Sequence, residues 1–236
     1  MSLVGLSFLL YISLLPGNKP DVEPVNPGMI YYGTGIQDTI DIQTLYNGRV
    51  WRNLYSRVVG DQFLFTTDFL PGSVTIDDRL YSDLPIKYDI YNDQILTVTD
   101  LKIIIELNKE MIDCFTISHN NKKYDFLRII PDSLSSLDGY YNVMYDGNLS
   151  LYLKYKKEIL PLEVEHKYDL FYESQKIYLK LGDKVYPVHG KGGLLKLLKD
   201  KKQQIRSFIK KNKLMVTKKD PWSLVPVVKF YDTLQN

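Results

Sequence analysis

GYYNVMYDGNLSLYLKYKK, residues 139–157, reads as two strands and the turn between them. The Asp146-Gly147 pair is a strong short-range hairpin signal and joins Tyr140–Tyr145 to Leu149–Tyr155. A two-residue turn of this kind is expected to need positive φ. Beyond it Leu149, Leu151, Leu153 and Tyr155 alternate with Ser150, Tyr152, Lys154 and Lys156. One face of this strand is therefore buried and the other wet or tyrosine-covered.

The same period of two runs outward in both directions, from Tyr31 to Val188. Tyr46-Asn47-Gly48-Arg49 carries an Asn-Gly pair suited to a type I′ turn, and Val59-Gly60-Asp61 separates Leu54–Val58 from Gln62–Thr66. Pro71-Gly72 precedes Ser73–Ile76, and Asn92-Asp93 lies between Ile86–Tyr91 and Gln94–Val98. His119-Asn120-Asn121-Lys122 joins Cys114–Ser118 to Lys123–Ile129. Tyr168–Tyr172 and Lys176–Leu181 read as a further hairpin, and Gly182-Asp183-Lys184 turns into Val185–Val188. Links this short exclude parallel pairing, which needs crossovers of about a dozen residues. The expected fold is mostly β, of α+β type: an antiparallel meander that forms a curled sheet or barrel. The strands read from the sequence, about five to eight residues each, are shorter than the roughly nine to eleven residues of a membrane-spanning strand.

The pattern changes once, at Gly192-Gly193, to helical spacing. Leu194, Leu198, Ile205 and Ile209, with Leu197 and Phe208 beside them, fall on one stripe of a basic amphipathic helix spanning 193–213. Asp220-Pro221 reads as a cap and first-turn proline, and Val227, Tyr231 and Leu234 suggest a short terminal helix. Pro226 limits where that helix begins.

The net charge of +2 conceals a segregation. Residues 191–220 hold eleven basic and two acidic side chains, a net of +9, while the rest holds 19 basic and 26 acidic, a net of −7. The basic block is the candidate surface for a charged partner, with Lys199, Lys202, Arg206 and Lys210 as its candidate binding residues. The 19 tyrosines suit a half-wet pleated surface. A single cysteine, Cys114, excludes an internal disulfide framework and a cysteine-based zinc site.

Leu3–Leu15 (LVGLSFLLYISLL) is an uncharged apolar run of thirteen, too short to span a bilayer and of the right length for a signal-peptide core. Residues 1–15 are accordingly expected to be an export signal and 16–29 an extended linker. One β-rich domain is expected over 30–236. No second run in the sequence is long and apolar enough to be a membrane helix.

Catalytic spacing is missing from the chain. His119, His166 and His189 form no His-x-x-x-His pair, and there is no Gly-x-Ser-x-Gly elbow. His189-Gly190-Lys191-Gly192-Gly193 fails as a phosphate loop, because Val185 stands at its first glycine and Gly192 at its Ser/Thr. Asp77-Asp78 and Glu106/Glu110 are the closest carboxylate pairs, at turns and strand ends where solvation explains them. No cofactor and no metal are expected.

The stretches Asn47–Thr67 (NGRVWRNLYSRVVGDQFLFTT), Pro71–Val74, Tyr88–Ile95 (YDIYNDQI), Gly139–Lys157 and Phe208–Leu214 (FIKKNKL) resemble a group of exported, β-rich proteins of Bacteroidetes and flavobacteria. The resemblance implies an envelope protein, mostly β, with a C-terminal helix. That group has no established activity, so no functional residues carry over.

Together these readings point to an exported, non-enzymatic binding or structural protein of the bacterial cell envelope, periplasmic or outer-membrane associated. Its expected partner, reached through the basic helix, is another envelope protein or an anionic surface rather than nucleic acid. The alternatives are a barrel carrying a small apolar or lipid ligand, and an enzyme acting on glycans.

Overall fold

The computed structural model describes residues 42–131, 137–161 and 169–235. The strands are β1 (Arg49–Val50), β2 (Leu70–Ile76), β3 (Arg79–Asp89), β4 (Gln94–Val98), β5 (Ile104–Glu106), β6 (Ile112–His119), β7 (Lys122–Ile129), β8 (Gly139–Asp146), β9 (Leu149–Leu160), β10 (Leu170–Leu181) and β11 (Lys184–Val188). They form one sheet of eleven strands in the order β1-β5-β4-β3-β2-β6-β7-β8-β9-β10-β11. Every neighbouring pair is antiparallel. The helices are α1 (Ile42–Leu45), α2 (Gly190–Leu197), α3 (Lys202–Lys211) and α4 (Val225–Thr233).

Local chemistry sets the turns. Asp77-Asp78 and Asn120-Asn121 each hold two consecutive positive φ values, 47° and 62°, then 50° and 58°. That is the type I′ pattern, and Asp and Asn tolerate it better than other side chains. In the β3–β4 turn Asp89 accepts from the backbone N–H of Tyr91 and Asn92, at 3.0 and 2.9 Å. The β8–β9 turn differs from expectation, because Gly147 is not at positive φ. Its glycine is required for close approach instead: a Cβ there would lie 2.3 Å from Asp232 Oδ2 of α4. The Tyr145 hydroxyl and the Asn148 N–H donate to that same oxygen, at 2.6 and 3.2 Å.

The sheet curls but does not close, since its edge strands β1 and β11 are not paired with each other. Its curl brings the β3–β4 turn against β9, where the Lys157 N–H donates to Ile90 O at 3.2 Å. Asp93 of that turn bonds Lys154 of β9 at 2.9 Å and Lys109 at 2.7 Å, and accepts the Tyr88 hydroxyl. The segment after β1 clasps the curl. Val59 bridges to Asp169 and Phe171, while Gln62 and Leu64 bond Ile90 and Tyr88.

Aromatic rings fill the concave face: Phe115 and Phe126 stack at 4.5 Å, and Tyr88 and Tyr140 meet Phe115 edge-on. All four rings are fully buried. The helices extend this core, with Leu198, Ile205, Leu224, Val227 and Val228 fully buried against it. On the other face Tyr141, Tyr152 and Tyr178 form a second, smaller cluster. Strand β9 is therefore buried on both sides from Leu149 to Leu153, Ser150 included.

Several sequence expectations are corrected. Leu54–Val58 and Gln62–Thr66 are not a hairpin, because the two halves do not pair with each other and their long-range backbone bonds go to distant segments. Asn47-Gly48 is not at positive φ; a Cβ on Gly48 would lie 1.9 Å from Glu106 O, so close strand approach selects glycine there. Tyr168–Tyr172 and Lys176–Leu181 are not two strands around a turn, since Leu170–Leu181 runs unbroken along the whole of β9. The single helix over 193–213 is two, broken at Leu198 by a 3₁₀ turn over Lys199–Lys201. The Asp200 carboxylate of that turn accepts from the Tyr231 hydroxyl and Gln235 Nε2 at 3.3 Å, which fastens the break to α4. The expected export signal and linker lie outside the described residues. Among the described residues no helix is long and apolar enough to cross a membrane.

Candidate functional site

Between α2 and the C-terminal half of α3 lies a shallow groove of about 740 Å³. Lys191, Arg206, Lys210 and Lys213 rim it, and Leu195, Ile209 and Leu214 form its floor. Among the described residues no acidic side chain lines it. None of its four cations takes part in an ion pair among the described residues. Like charges gathered without counter-charge repel one another, and an anion in the groove relieves that repulsion.

Each wall has a local origin. Helix α2 begins at Gly190, whose φ of 67° turns the chain off β11, and no side chain caps its first turn. That places Lys191 and Gly192 at the positive end of the helix dipole. The other wall ends in a Schellman motif, in which the Leu214 N–H donates to Ile209 O at 3.0 Å and the Lys213 N–H to Lys210 O at 3.2 Å. The motif brings Leu214 onto Ile209 as floor and puts Lys213 at the left-handed position, φ 51°, where glycine is the usual residue. A lysine in that conformation carries a backbone cost of about 1–2 kcal/mol. Just past the motif Met215 is 84% exposed.

Of the four residues expected from the sequence, the groove gathers Arg206 and Lys210. Lys199 lies on the 3₁₀ turn and Lys202 at the start of α3, half-buried, and neither lines the groove. Lys191 and Lys213 were missed. Their signal is faint: a Gly-flanked lysine before the helix, and an Asn-Lys pair where a helix ends.

Other chemically suggestive residues are occupied structurally. Burial alone would raise the Asp93 carboxyl, but Lys154, Lys109 and Tyr88 hold it below the ordinary carboxylate value. Burial draws the Lys154 ammonium down despite Asp93, and the cluster is a structural tie across the curl. Burial likewise raises the Asp89 carboxyl while Asn92, Gln62 and Tyr91 bond it. Glu106 pairs with Arg49 at 2.6 Å, and Asp77-Asp78 is a turn. The His119 ring stacks on Phe65 at 4.9 Å, His189 precedes α2, and His166 lies outside the described residues. Cys114 is half-buried, and burial raises its thiol. Among the described residues no three His, Cys, Asp or Glu side chains are grouped to hold a metal ion.

The chain matches no protein-family model, and no curated protein or solved structure is significantly similar to it.

Proposed function

We propose that this chain is an exported, non-enzymatic binding or structural protein of the bacterial cell envelope, periplasmic or outer-membrane associated. It docks an anionic envelope component through the groove between α2 and α3. One observation carries the reading: four cations, from α2, α3 and the turn that ends α3, converge on an apolar floor, with no ion pair and no acid lining it among the described residues. The segregation of charge supports it, since an acidic body focuses the attraction of an anion on this one face. The non-enzymatic part rests on His119 and the acids described above, which are engaged in ring stacking, turns and ion pairs. The packed aromatic interior favours docking on the surface over carriage of a ligand inside.

Crosslinked pull-down from envelope extracts tests it, with the full chain and with Arg206→Glu/Lys210→Glu as baits. A component recovered by the first and lost with the second is expected. No component with or without crosslinking, or the same component with both baits, would sink the reading.

A further inference from the structure

We infer that the surface this groove docks against is an anionic lipid bilayer, a deepening that rests on the reading above. The groove supplies the charge, and the segment after α3 supplies a feature that charge alone does not explain. Met215 projects at 84% exposure immediately beyond the Schellman motif, between Lys213 and the exposed Lys218 and Lys219. An apolar side chain held out in water, with exposed lysines before and after it in the chain, matches the water–lipid boundary, where the sulfur-bearing chain enters the acyl layer and the ammonium groups meet phosphates. The groove is shallow rather than enclosing, with Leu195, Ile209 and Leu214 under its cations. That geometry fits head groups presented on a plane. Each cation near an anionic leaflet contributes about 1 kcal/mol, which is why several are needed for stable association.

Vesicle sedimentation with the full chain tests this, using phosphatidylglycerol–phosphatidylcholine vesicles and phosphatidylcholine alone. The apolar run Leu3–Leu15 is shared by every variant, so binding to phosphatidylcholine alone reports that run and not the groove. The wild type should prefer the anionic vesicles. Arg206→Glu/Lys210→Glu/Lys213→Glu should weaken that binding by about 100-fold or more. Met215→Ser, which leaves the charge unchanged, should weaken it by about threefold to tenfold. Circular dichroism confirms that each variant is folded.

Equal binding to both vesicle types, or an unaffected Met215→Ser variant, would overturn the lipid assignment. A labelled poly-glutamate probe separates that failure from the wider one. If the probe binds through the groove cations while vesicles do not, the partner is an acidic macromolecule and only the lipid step fails. If neither binds, the docking reading fails with it.

Discussion

Asp93 shows how a single residue holds the curl together. It sits at positive φ in the β3–β4 turn, yet its partners Lys109 and Lys154 come from before β6 and from β9. Removing one partner from a buried cluster leaves the other charges uncompensated, so Asp93→Asn should cost about 3 kcal/mol or more at neutral pH. A carboxyl whose pKa falls on folding adds stability above its unfolded value of about 4, and that stability is lost as pH drops through the lowered folded value. Denaturant titrations across pH should therefore show a shallower acid limb for Asp93→Asn than for the wild type. Two parallel curves would mean that the carboxylate charge contributes nothing. Lys213 makes the opposite bargain: Lys213→Gly should relieve its left-handed backbone and raise stability by about 1 kcal/mol, while weakening anion binding. A loss of stability on that change would show that the motif does not strain the lysine.

At the scale of elements, the legible turns are those whose chemistry is local. Asn120-Asn121 and Gly182-Asp183 mark their hairpins because two neighbouring residues decide the backbone there. The 51–69 segment was not legible, because its long-range hydrogen bonds go to β5, to the end of β3, to β9 and to the start of β10, and no periodicity within it can name such distant partners. The break at Leu198 was hidden for another reason. Leu194, Leu198, Ile205 and Ile209 are all buried, so the apolar stripe reads alike for one helix or two. Its one clue is Asp200, a lone acid among lysines that Tyr231 and Gln235 fix in place. The stripe gives a direct test. Ile205→Ala should cost about 2–4 kcal/mol, since that side chain is fully buried. Reversing the exposed Lys199, Arg206 and Lys210 to glutamate should each change stability by less than about 1 kcal/mol. Equal losses on the two faces, measured by urea unfolding, would contradict the assignment of buried and wet sides.

At the scale of the whole molecule, half of the candidate groove was legible and half was not, for the same reason that the helix break was hidden. Arg206 and Lys210 lie on the wet flank of a helix that the sequence announces. Lys191 and Lys213 join them only because Gly190 starts α2 early and the chain reverses after Lys211, so their convergence belongs to the tertiary fold. The claim that matters is that recognition depends on this convergence and not on net charge. Fluorescence anisotropy of a labelled poly-glutamate probe, with two triple variants of identical charge change, tests it most directly. Arg206→Glu/Lys210→Glu/Lys213→Glu alters the groove, whereas Lys199→Glu/Lys201→Glu/Lys202→Glu alters the neighbouring turn and leaves the groove rim intact. The first should lose at least about tenfold in affinity and most of its salt dependence, while the second stays within about threefold of the wild type. Equal losses in both would show that the protein attracts anions by charge alone and that the groove recognises nothing.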